Sequence, residues 1–320
     1  MILTALACLA GMARAGAPLG EVRVGCLRSG SLNWQLTVIE REKLDLKHGF
    51  SLKKVMYADL SAEKIALQGG EVDLIVHPWL WVAVQRARGM PIQAIYPYTC
   101  NAAALVVPED SSIKSLADLR GKRIGIFSPV DGNWLILRAA CQHLHGFDPL
   151  GENTAISASP PLLSGFLERR EFDAIVQFWQ HAILLVATGR YRTVAEVSDL
   201  ATVFGASGPL AFTMYVTRDE FAKSHPELLR AYLDASREGQ VRLAASAELW
   251  LELCGDMGVS DPHVVELLRR HYVEGLPDVW NLDCVRDIHR LFGGLARAGC
   301  TGILGLSTLP SNTFSTAFFR

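Results

Sequence analysis

Two hydrophobic periods alternate along the chain. Short apolar and β-branched runs at 21–27, 51–57 and 72–76 read as strands. Between them, apolar positions recur three to five residues apart, as at Leu36, Ile39 and Leu44 within 33–47, and read as helix. Asp59 is placed to cap a second helix that stops at Gly69-Gly70, and a third helix is expected after His77-Pro78, ending near Arg88. Strands at 92–96 and 102–107 complete this block. Strand and helix alternating at these lengths predict βαβ units and a mostly parallel sheet.

A polar loop at 108–112 reads as a linker, and a second block of the same kind follows it. Its strands are expected at 123–127, 154–157 and 172–178, and its helices at 131–145, 161–169 and 180–188. After a breaker cluster at 205–209 comes one more strand, 211–217, and then a helical tail at 226–254, 262–271 and 281–298. The economical topology has the chain cross to a second lobe near residue 108 and return near 210. That predicts an α/β protein with lobe one at 16–107 plus 210–320, lobe two at 108–209, and hinges at 106–110 and 207–211.

The first residues add a destination. Met1 to Ala13 is nearly all apolar and runs into Ala13-Arg14-Ala15, the small-residue close of a secretory signal, so residues 1–15 are expected to be removed on export to the periplasm. No later run approaches the roughly 18 apolar residues of a membrane span, which predicts a soluble mature protein. With 31 basic and 33 acidic residues the net charge is −2, which gives no field for nucleic acid or an anionic membrane. Of seven cysteines, six follow the signal, scattered and without a C-x-x-C pair, so they read as buried free thiols. No metal-ligand spacing, P-loop, Gly-x-Gly-x-x-Gly or nucleophile elbow occurs.

Three stretches carry a resemblance. They are Lys64-Ile65-Ala66-Leu67-Gln68-Gly69-Gly70-Glu71-Val72-Asp73-Leu74, then Ser115-Leu116-Ala117-Asp118-Leu119-Arg120-Gly121-Lys122-Arg123-Ile124-Gly125, and Phe212 to Arg218 with Pro226 to Tyr232. In this order and spacing the chain resembles the type II periplasmic solute-binding proteins of ABC importers, in the nitrate, sulfonate, taurine and thiamine-precursor (NMT1-like) group. The resemblance implies two Rossmann-like lobes that close over a ligand, and delivery of that ligand to a permease driven by an ATPase. It implies no cofactor and no catalysis. One branch of the group contains a thiamine-pyrimidine synthase, marked by a cysteine-rich run that is missing here.

In open α/β sheets ligands lie beyond the carboxyl ends of the strands. The residues there are Arg28 with Ser31, Asn33 and Trp34; His77 and Trp79; Ser128, Asn133 and Trp134; and Trp179 with Gln180 and His181. Four of seven tryptophans thus stand at strand-to-helix junctions, two in each expected lobe. Opposed indoles would sandwich a planar ring on closure, with Arg28, Asn33, His77, Ser128 and Asn133 supplying polar contacts. Trp81, Trp250 and Trp280 read as packing. The expectation is a monomeric receptor for a planar, anionic aromatic molecule, with pyrroloquinoline quinone as one candidate and nitrate or sulfonate as alternatives. An enzyme on the same fold is the competing class.

Overall fold

The computed structural model describes residues 18–28, 30–208, 210–255 and 258–320. The expected signal at 1–15 lies outside the described residues. In chain order the first block is β1 (Glu21–Leu27), α1 (Ser31–Arg41), α2 (Leu44–Lys47), β2 (Ser51–Tyr57), α3 (Leu60–Gly69), β3 (Leu74–Pro78), α4 (Trp79–Ala87) and β4 (Ile92–Thr99). The second is β5 (Ala103–Pro108), β6 (Arg123–Ile126), α5 (Gly132–His145), α6 (Pro149–Glu152), β7 (Thr154–Ser157), α7 (Pro160–Glu168), β8 (Ala174–Phe178), α8 (Trp179–Val186) and β9 (Tyr191–Glu196). After β10 (Thr213–Arg218) come α9 (Asp219–Ser224), α10 (Pro226–Ala245), α11 (Ala247–Gly255), α12 (Pro262–Glu274) and α13 (Leu282–Arg297).

Two five-stranded sheets result, ordered β2-β1-β3-β10-β4 and β7-β6-β8-β5-β9. Each keeps a parallel core, β2-β1-β3 or β7-β6-β8, while β10 and β5 run antiparallel to their neighbours. The sheets are therefore mixed rather than mostly parallel. The first crossing lies between Thr99 and Ala103, because β5 pairs with β8 and β9 along its whole length. The polar loop after Pro108 follows a strand of the second sheet and is no linker, although an apolar run such as Ala103–Pro108 suits either sheet. β9, half-exposed and only six residues long, lacks the apolar run that would have marked it. The tail bridges both lobes: α10 and α11 pack with α1 and α12, while α12 meets α8 and α13 meets α5.

Local chemistry fixes the element ends. The Asp59 carboxylate accepts from the Ser61 and Ala62 N–H groups, and Gly70 ends α3 in the left-handed region at φ 78°. Lys43 at φ 54° divides the expected 33–47 helix into α1 and α2, and an extended Ser246 separates α10 from α11.

The lobes repeat one plan at an offset of one hundred residues. In lobe one the Arg23 guanidinium donates twice to Asp73, at 2.9 and 2.5 Å, and the Asp73 carboxylate also accepts the Arg23 N–H. In lobe two Arg123 makes the same three bonds to Asp173. Each clasp ties the start of the first strand of its parallel core, β1 or β6, to the turn before the third, β3 or β8, fifty residues on. The segments Glu71-Val72-Asp73-Leu74-Ile75-Val76-His77-Pro78-Trp79 and Glu171-Phe172-Asp173-Ala174-Ile175-Val176-Gln177-Phe178-Trp179 show the correspondence.

Candidate functional site

The carboxyl ends of β1, β3 and β4 face those of β6 and β8 across a cavity of about 660 Å³. Besides α3, whose start Asp59 caps, four helices of eight residues or more start on it. The first N–H groups of a helix have no partner within it, so each start offers donors and a partial positive charge. Asp131 fills that role for α5, accepting from the Asn133 and Trp134 N–H groups at 3.1 and 3.4 Å. The others follow Gly30, Pro78 and Phe178 with no side-chain cap. Trp79 N–H turns to the Phe212 carbonyl and Trp179 N–H to the Ala102 carbonyl, while Ser31, Leu32, Leu80, Trp81 and Gln180 stand at the cavity.

The wall is apolar between these donors, with Leu80, Trp81, Phe127, Phe178, Trp179 and Phe212 contributing. The Phe127 and Phe178 rings lie 5.2 Å apart. At the rim stand two large apolar side chains about half exposed, Val130 and Ile303, the latter brought in by the tail. Behind Trp179 a smaller cavity of about 180 Å³ opens between α8, β9 and α12, where His271 stacks on the indole at 5.4 Å.

Lobe one carries the unusual polar groups. Glu63 on α3 is 1% exposed, its Oε2 has no partner, and burial pushes its carboxyl up to about 8. His77 is 7% exposed with both ring nitrogens unpartnered; burial, aided by the Lys64 charge, pulls it down to about 3, so the ring is neutral. The Trp81 ring lies 4.5 Å from the His77 ring, with Lys64 Nζ 5.9 Å from its centre. Opposite, in lobe two, Asn133 is buried with Oδ1 unpartnered, and burial raises Asp131 to about 6 against the pull of its N–H donors.

Of the residues the sequence pointed to, His77, Ser128, Asn133 and Trp179 line the cavity; Trp34, Trp79, Trp134, Arg28 and Asn33 do not. The four indoles do not converge on a shared crevice. Trp34 is sealed with Trp250 and Tyr272, its ring 5.1 Å from that of Trp250. It touches Trp179 edge-on at 6.0 Å, inside the interior under α12. Trp79 packs on Phe314 and Trp134 is fully buried. The reason is the repeat. Positions 34 and 134, and 79 and 179, are equivalent helix starts in the two lobes, so the spacing that suggested two walls of a sandwich comes from that repeat: Trp79 and Trp134 lie in the main core, and Trp34 packs under the tail helices. Arg28 is exposed, and the Asn33 amide donates to the Arg28 carbonyl. Ser128 Oγ accepts the Val130 N–H at 3.3 Å.

Trp81, expected to be core, is half-buried on the cavity wall. Glu63 and Lys64 were missed, though a signal existed: Glu63 lies one turn before Leu67, a charge on the buried face of α3. Trp250 and Trp280 are fully buried. The six later cysteines are free, four of them buried. Among the described residues no three His, Cys, Asp or Glu side chains gather to hold a metal, and no helix is long and apolar enough to cross a membrane.

A protein-family model described as NMT1/THI5 like matches residues 32–246. The taurine-binding periplasmic protein of Escherichia coli (strain K12) is 27% identical over 174 residues, 53% of this chain and 51% of that protein. The chain thus matches about half the length of this curated relative. Among solved structures, the alkanesulfonate-binding protein SsuA from Xanthomonas axonopodis pv. citri, bound to MOPS, superposes with a TM-score of 0.70 at 18% identity, over 93% of this chain and 96% of that one. The periplasmic aliphatic sulphonate binding protein SsuA from Escherichia coli gives 0.73 at 15% identity, over 90% and 89%. At such identities these superpositions establish the fold: two α/β lobes of the periplasmic binding protein type.

Proposed function

Since the chain belongs to the NMT1/THI5 like family, we propose that it is an exported solute receptor which captures a small organic anion between its lobes and hands it to an ABC permease and its ATPase. The observation that carries this is the cavity itself. It lies at the carboxyl ends of both sheets, with uncapped starts of α1 and α4 from one lobe and of α8 from the other, and with apolar surface between them. A single compact oxyanion on an apolar body suits that arrangement, and a sulfonate is the first choice. The names of the taurine-binding relative and the sulfonate-binding structures favour the same headgroup.

The planar polyanion reading is weaker. Pyrroloquinoline quinone brings three carboxylates, whereas the cations among the described lining residues are Lys64 and Arg88, set against Glu63 and Asp131. Three of the four indoles meant to grip its ring lie elsewhere. An aromatic body is still compatible with Trp81, Phe127, Phe178 and Trp179. Turnover gains no support from the cavity's thiol, Cys26, which burial pushes up to about 12.

Thermal unfolding and calorimetry with ethanesulfonate, 1-pentanesulfonate, MOPS, nitrate and pyrroloquinoline quinone test this. A sulfonate at about a hundred times its Kd should add roughly 2.7 kcal/mol of stability. Nitrate and the quinone should add little. Ser31→Asp, which sets a carboxylate at the start of α1, should abolish sulfonate binding. Melting unmoved by every sulfonate at millimolar concentration would overturn the proposal.

A further inference from the structure

Glu63 and His77 sit in one wall of the cavity, both more than nine-tenths buried. Between them they leave three polar atoms without partners: Glu63 Oε2 and both His77 nitrogens. A buried polar atom left unpaired is destabilising, so the fold tolerates a concentrated penalty here. Nothing in the architecture demands it. At the equivalent positions of lobe two stand Leu163, wholly buried among apolar side chains, and Gln177. The Gln177 amide is saturated: it donates to the Pro160 carbonyl and to Ser164 Oγ, and accepts the Phe178 N–H. The same fold therefore closes this corner without an unmet hydrogen bond in one lobe and leaves three unpartnered atoms in the cavity wall of the other.

We propose that Glu63 and His77 form a subsite that takes an uncharged group able both to donate and to accept, of the carboxamide kind, carried at the far end of the captured anion. The proposal rests on the organic-anion reading above and narrows it. Charge selects the neutral group. Lys64 stands on the same wall, over the Trp81 ring that packs on His77, and Arg88 lies at the rim, so a cationic end group would meet two cations. A second anionic group has no hydrogen to give the unprotonated His77 nitrogen. An N–H beside a C=O satisfies the corner without adding charge: the Glu63 carboxyl donates to the carbonyl oxygen, and an unprotonated His77 nitrogen accepts the N–H.

Three sulfonates of equal chain length separate the possibilities: N-acetyltaurine carries an amide, N-ethyltaurine an ammonium and 1-pentanesulfonate neither. Calorimetry on the full mature chain should give N-acetyltaurine at least tenfold tighter binding than the other two. Glu63→Gln keeps an uncharged donor–acceptor end and should keep that ratio; Glu63→Leu should cut it below threefold, as should His77→Phe. Equal affinities, or a ratio that survives in Glu63→Leu, overturn the subsite while leaving the anion receptor standing. Preference for N-ethyltaurine, lost in Glu63→Gln, overturns it in favour of a cation site. If none of the three binds, the anion reading falls and the subsite falls with it.

Discussion

The two lobes are built on one plan, and they differ most where they face each other. Scaffold positions repeat in kind: Arg23–Asp73 and Arg123–Asp173 tie strand starts together, while Trp34 with Trp134 and Trp79 with Trp179 bury indoles at matching helix starts. Wall positions diverge. Glu63 answers Leu163, His77 answers Gln177 and Trp81 answers His181. Repetition therefore marks what holds a lobe together, and divergence marks what a lobe offers to a ligand. The largest expected effect comes from exchanging the wall residues. Leu163→Glu places an unpartnered acid beside Phe172 and Gly125, where the space is already filled, and should cost about 4 kcal/mol or prevent folding. The reverse change, Glu63→Leu, should stabilise the ligand-free protein by about 2 kcal/mol. Denaturant unfolding of both variants measures this, and the same sign for both would break the comparison.

The clasps test whether equal geometry means equal energy. The Asp73 side chain is 2% exposed and also takes a bond from Arg218 on β10, whereas Asp173 is 33% exposed. Removing a buried acid strands two guanidinium groups; removing an exposed one loses a pair that water already screens. Asp73→Ala should cost about 3 kcal/mol and Asp173→Ala about 1 kcal/mol. Equal losses would mean that burial does not set the difference.

A smaller effect is expected from pH. Glu63 holds its proton up to about 8 in the folded protein, where burial is the cause, but releases it near 4.5 when unfolded. Folding therefore takes up a proton between these values, and stability falls as pH rises from about 4.5 to 8. His77 acts at the other end. Its ring stays neutral down to about 3 when folded, so stability falls as pH drops below about 6.5. Ligand-free protein should be most stable between the two, and Glu63→Gln should flatten the alkaline limb by about 2 kcal/mol. Melting curves from pH 5 to 9 decide it; an unchanged alkaline limb in the variant would place the titration elsewhere.

The sequence carried the elements further than it carried the site. β1, β2 and β7 end where the hydrophobic pattern ends, and Asp59 and Gly70 act as cap and stop, because these signals are local. The crossing into β5 was displaced because an apolar strand does not say which sheet it joins. The tryptophans misled for a related reason: a strand-to-helix junction specifies where a residue sits along the chain, but not whether its side chain turns to the cleft or to the core. Glu63 was legible as a charge on a buried helix face, and aligning the two blocks at an offset of one hundred would have set it against Leu163. That His77 lacks a partner was not legible, because hydrogen-bond satisfaction is settled by neighbours far away in sequence.

The smallest effect separates the two halves of one equivalent pair. Trp81 and His181 each stand two residues past the start of a helix on the cavity, α4 or α8, yet only the indole is among the described lining residues. It presents part of its ring to the cavity while His77 and Lys64 hold it in place. Trp81→Phe shortens that wall without removing its apolar character, so MOPS affinity should weaken about threefold, or roughly 0.6 kcal/mol. His181→Phe should leave the Kd of MOPS unchanged, because the ring it replaces stands off the wall. Calorimetry on the two variants side by side reads the contrast directly. Equal changes would mean that the two lobes contribute alike to the ligand, and that divergence at these positions is no guide to the site.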